Sequence, residues 1–165
     1  MEERDLIRLE LESLYSQLDK ALNRRGGERE VDRLFTKILE MTFPILNRKI
    51  EKGEKLNPED PLDLLLLRTM HDYLLELWGQ GELEEAKEVA MDLIALTEDQ
   101  ILKEMFTIFG LGLVAKIPLN RWVGEYWLPE EGEIYNSHFF PNFSKKVEGL
   151  VDRYFEQLVA QFKGE

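Results

Sequence analysis

The chain has no cysteine, which excludes disulfide frameworks, thiolate metal sites and cysteine nucleophiles together. Histidine is almost as scarce. His71 and His138 are the only two, and no Glu-x-x-His motif exists, so a carboxylate-bridged di-iron bundle of the ferritin type is set aside. The four serines, Ser13, Ser16, Ser137 and Ser144, include none in a nucleophile elbow. The opening MEERDLIRLE lacks the apolar core of a secretory signal. The longest nearly apolar run, Met105 to Ile117, is well short of the roughly 20 residues that cross a bilayer. It is expected to be a buried helix, and the cytoplasm is the expected compartment. No stretch alternates apolar and polar residues as a strand does. "GLG" at Gly110 to Gly112 lies inside a helical run with no strand before it, which removes a dinucleotide-binding reading.

Positive charge is also in short supply, and its distribution is informative. The net charge is −12, yet residues 1–57 balance at twelve acids and twelve bases, and residues 134–165 at four and four. Residues 58–133, with seventeen acids against five bases, hold the whole excess. Such a surface repels phosphate backbones and has no basic stripe, so nucleic acid is excluded as a partner and acidic membrane lipid is disfavoured. A basic peptide or protein is favoured.

What the sequence does contain is helical periodicity nearly throughout. A chain of 165 residues suits one domain that buries roughly 70% of its unfolded surface. The expected fold is all-α, a single-domain bundle of about six helices with an irregular aromatic-rich segment before the C-terminal helix. Ile7, Leu11, Leu14, Leu18 and Ala21 form one stripe, stopped by Gly26 and Gly27. A second helix from Glu28 shows Val31, Leu34, Phe35, Ile38 and Leu39, and Pro44 is expected to kink or end it. Asn57 is the expected cap of a third helix with Pro58 at its first position. "LLLL" at Leu64 to Leu67 covers every face, which places this helix at the centre, with Arg68, Asp72 and Glu76 as its one solvated stripe.

"WGQGELEE" reverses the chain into a fourth helix presenting Leu83, Ala86, Val89, Ala90, Leu93 and Ile94. Thr97 and Gln100 read as a capping box for the fifth. The last helix, from Ser144, shows one wide face of Val147, Leu150, Val151, Tyr154, Phe155, Leu158, Val159 and Phe162.

Few residues suggest chemistry. His71 and Asp72 form a pair similar to the metal-binding His-Asp of phosphohydrolases, but such sites need further ligands, and neighbours on a helix are expected to point apart. The quartet Asp60, Asp63, Glu82 and Glu85 offers two i,i+3 pairs for magnesium. Antiparallel helices would hold these pairs about 25 Å apart at 1.5 Å rise per residue, so only a second subunit could complete the site. Helix-start stabilisation is the simpler role, and the sequence calls for no cofactor or metal. Across Met70 to Leu96, Gly81, Glu85, Ala86 and Ala90 make the segment similar to one tetratricopeptide-repeat hairpin, without a second copy. "NPEDPLDLLLLRTM" resembles the Pro-x-Asp-His region of the acidic helical chaperones that escort redox enzymes bearing twin-arginine signals, with Pro61 where that family has histidine.

Between Arg121 and Phe143 lie seven of the chain's seventeen aromatic residues. Trp122, Val123, Tyr126 and Trp127 are expected on one face of a short helix. Rings of this size bury on the order of 150–250 Å² each, so they either strap the end of the bundle or form a contact surface. The surface reading combines Trp122, Tyr126, Trp127 and Tyr135 with Glu130, Glu131 and Glu133 to hold an Arg- or Lys-bearing partner. The expected function is a non-enzymatic helical interaction module, an adaptor, accessory or chaperone-like protein. The alternative is a magnesium-dependent hydrolase completed across a homodimer. The binding reading rests on one expectation, that the chain lacks any set of polar side chains able to meet around a reacting atom.

Overall fold

Helix ends are set by a few residues whose backbone needs are visible in the sequence. In the computed structural model, which describes residues 2–164, α1 (Glu3–Leu22) stops at a turn in which Gly26 has φ +75°. A Cβ on Gly27 would lie 2.3 Å from the Ala21 carbonyl oxygen, so that position accepts only glycine. Five further helices and a short kinked one follow: α2 (Glu28–Lys52), α3 (Pro61–Gly79), α4 (Leu83–Leu96), α5 (Gln100–Val114), α6 (Leu119–Glu125) and α7 (Val147–Phe162). No strand occurs among the described residues, and the all-α expectation holds. None of the described helices is long and apolar enough to cross a membrane. The helices gather into two compact units, residues 1–69 and 70–165.

In the first unit α1 packs on α2, burying the predicted stripe from Leu11 to Ala21 against Leu34, Ile38 and Leu46. Pro44 does not end α2, which runs eight residues beyond it. Pro44 and Glu40, whose carbonyl loses its amide partner, are both exposed, so water can serve that carbonyl. The third helix starts later than expected. Asn57 accepts from the Glu59 amide in a local turn, while Asp60 accepts from the Asp63 amide, which makes Asp60 the cap and Pro61 the first helical residue. Asp60 pairs with Arg4, and Asp63 lies 3.6 Å from Lys49 and accepts from the Asn57 amide at 3.1 Å. Arg68 leaves its expected stripe to pair with Asp19 at 3.2 Å and to cover the Tyr15 ring at 4.0 Å.

The second unit is built on α5. Its N-cap is Asp99, whose carboxylate accepts from the Leu102 amide at 3.0 Å. The predicted Thr97–Gln100 box does not form, because Thr97 is buried outside the helix and Gln100 is its first residue. Asp99 also accepts from the Tyr135 hydroxyl at 2.7 Å, so substituting it by alanine should lower stability by roughly 2–4 kcal/mol, with asparagine restoring part of it, in urea denaturation. Two glycines in α5 let other groups approach. Gly110 meets Leu158 of α7, and Gly112 lies directly against the Trp122 ring.

The α7 face is narrower than the sequence implied. Leu150 and Leu158 are buried, but Val151, Phe155 and Phe162 remain 41%, 44% and 42% exposed. Phe155 and Phe162 flank an apolar cleft of about 370 Å³ with Ile94 and Leu158. The helix also starts later than expected. Ser144 turns its hydroxyl to the Glu125 carbonyl at 2.7 Å, and regular helix begins at Val147.

Candidate functional site

The aromatic segment is a folded strap, and its backbone explains how. The helical run of α6 breaks at Val123 (ψ 124°) and Gly124 (φ 94°), which lets the Trp127 carbonyl accept from the Gly124 amide at 2.7 Å. Trp122 is fully buried, 5.1 Å from Trp78 and stacked on Tyr126 at 5.3 Å and 13°. Trp127 is buried as well, and its indole nitrogen donates to the Phe140 carbonyl at 2.7 Å. Phe109 meets Trp122, Trp127 and Phe143 edge to face. These rings fill the interior of the unit.

The seven candidate contact residues therefore divide. Trp122 and Trp127 face inward and leave the surface set. Tyr126 and Tyr135 are half-buried, while Glu130, Glu131 and Glu133 are exposed and make no ion pair among the described residues. Their neighbour Glu125 differs. Hydrogen bonds from Arg121, and then from Lys146, hold its carboxyl down at about 2.

The strap also carries His138 to a place the sequence did not foresee. Residues 135–139 form a tight turn, closed by the Tyr135 and Phe139 amides donating to each other's carbonyls at 2.6 and 2.9 Å. At its tip Asn136 and Ser137 both take left-handed backbone, φ 48° and 64°, each at a cost of order 1 kcal/mol. The turn is anchored by Phe139, fully buried, and by the Tyr135 hydroxyl donating to Asp99 at 2.7 Å. The result is that His138 Nε2 lies 2.8 Å from Asp72 Oδ1.

His71 Nδ1 lies 3.1 Å from the same oxygen. Neighbours on a helix diverge by about 100°, and the sequence placed these two on opposite sides. The structure corrects this: the His71 ring folds toward its neighbour, and Asp72 turns from the solvated stripe toward His138. His71 is buried beside Phe139 at 5.3 Å, with Phe106, Phe109 and Trp127 within 6.2 Å. Burial pushes the Asp72 carboxyl up, but the hydrogen bonds from His138 and then His71, with attraction to both rings, hold it well below the usual carboxylate range. An ionised carboxylate only accepts, so both imidazoles present N–H to it.

His71, Asp72 and His138 each offer one nitrogen or oxygen atom, and the three lie within 4.8 Å of one another. This convergence of three polar side chains was not expected from the sequence. Its sequence signal was partial: the His71–Asp72 pair was visible, but the partner 66 positions away sits on irregular backbone that periodicity does not place. The acidic quartet gives no such cluster among the described residues; Asp60 and Asp63 engage Arg4 and Lys49, and Glu82 and Glu85 are exposed. No protein-family profile, no curated protein and no solved structure matches this chain.

Proposed function

We propose that the protein is a helical interaction module, adaptor- or chaperone-like, that binds a basic peptide or protein. The observation that carries this reading is the charge of one unit. Residues 70–165 hold eighteen acids against eight bases, a net −10, while residues 1–69 hold fifteen against thirteen, a net −2. In the acidic unit Lys87, Arg121 and Lys146 are already engaged by Glu84 and Glu125. Glu130, Glu131 and Glu133 project from the strap with a half-buried Tyr126 and Tyr135 nearby in sequence, and the interior tryptophans hold that loop in place.

A labelled Arg-rich peptide should bind the full chain saturably, with affinity falling as salt rises. Each exposed ion pair contributes roughly 0.2–1 kcal/mol, so changing Glu130, Glu131 and Glu133 together to glutamine should weaken binding by about tenfold. Equal binding of a neutral peptide, or no effect of the triple change, would refute the reading.

A further inference from the structure

We infer that His71, Asp72 and His138 form a binding site for a divalent transition-metal ion of the zinc type. This goes beyond the peptide-binding reading and is independent of it. The donor set is two imidazole nitrogens and one carboxylate oxygen, which suits zinc and its first-row neighbours far better than magnesium or calcium.

Distances agree with that chemistry. Ligands held 2.0–2.2 Å from a tetrahedral ion sit about 3.3–3.5 Å from each other. Here both nitrogens are 2.8 and 3.1 Å from Asp72 Oδ1, and the three atoms lie within 4.8 Å of one another. Adjustments within about an ångström would seat an ion. When it enters, the proton on each nitrogen facing Asp72 passes to that ring's other nitrogen, or to solvent if the ring is an imidazolium, so that each imidazole stays neutral and offers the ion a lone pair. The side chains of Asp72 and His138 are 28% and 24% exposed, so a fourth position can be filled from solvent. His71 is closed in by aromatic rings, which fix its orientation.

The turn behind His138 is a second, separate observation. Two successive non-glycine residues in left-handed backbone, pinned by Phe139 and by the Tyr135–Asp99 hydrogen bond, fix the position of a ring that would otherwise sit on a mobile loop. Strain of this kind persists where the surrounding structure over-determines it and is concentrated at ligand sites. A site prepared on one side by a helix and on the other by a strained turn is preorganised for an ion.

The test is calorimetric titration of the metal-free full chain with zinc chloride, together with the same titration of His138→Gln and Asp72→Asn. Loss of a supporting partner outside the coordination sphere already weakens metal binding by about 10- to 100-fold, so each variant should lose more than about 100-fold from a saturable one-to-one site. Zinc should also raise the melting temperature of the parent protein and of neither variant. Should a variant not fold, imidazole NMR of the parent protein decides: both histidines should shift together and saturate at one equivalent of zinc. The proposal is overturned if zinc binding does not saturate, if both folded variants bind like the parent, or if either ring is unmoved at saturation.

Discussion

Trp122→Ala is expected to lower the stability of the fold by about 3–5 kcal/mol, the range for removing a large buried aromatic side chain. Sequence alone left Trp122 as either part of a strap on the bundle or a contact residue. Its burial favours the strap. Trp122 has no exposed surface and packs on Trp78, Phe109 and Tyr126. Truncation would open a cavity among rings that cannot collapse into it, because each is held from another side. Its indole nitrogen lies buried without a hydrogen-bond partner among the described residues, an arrangement that costs roughly 1–3 kcal/mol. Trp122→Phe should therefore cost clearly less than Trp122→Ala, since it removes that unpaired group and retains most of the packing. Urea denaturation followed by circular dichroism measures both. Native-like stability of Trp122→Ala would show that the strap does not support the core.

Gly112→Ala should destabilise the protein by about 1–3 kcal/mol, against the usual rule that alanine in a helix is better than glycine by about 1 kcal/mol. The reason is contact. A Cβ at position 112 would lie 2.5, 2.8 and 2.8 Å from three carbons of the Trp122 ring, and that ring is fixed by its stacking on Tyr126. The two positions should be coupled. In a double-mutant cycle Gly112→Ala with Trp122→Leu should cost less than the sum of the single changes, because the smaller side chain leaves room for the new methyl group. Strict additivity would mean that the close approach is not the cause.

These two cases mark where reading the sequence succeeds and where it stops. Glycine at 26 and 27, the stripe from Leu11 to Ala21 and the apolar run from Met105 all report a local need: a left-handed turn, one buried helix face, a helix covered on most sides. Each is visible within a few turns of chain. Capping was less legible, because asparagine, aspartate and threonine compete for the same role within four positions. At both α3 and α5 the nearest aspartate takes it. Whether Pro44 would end its helix was open for a related reason, since its cost depends on whether the carbonyl four residues back can reach water.

The candidate site was the least legible part. His71 and Asp72 share a helix, but the side chain that completes the group arrives from a turn fixed by φ values, a buried phenylalanine and one tyrosine hydroxyl. The same holds for Trp122 and Trp127, whose composition suited a contact surface as well as a core.

Composition and periodicity by themselves determined that this chain is helical, lacks thiol chemistry and concentrates negative charge in its second part, because these properties depend on residue type and near neighbours. Tertiary structure alone decided which rings face inward and that two distant histidines share one carboxylate. Such pairings depend on where irregular backbone carries a side chain, and backbone that follows no period leaves no trace of its destination in the order of residues.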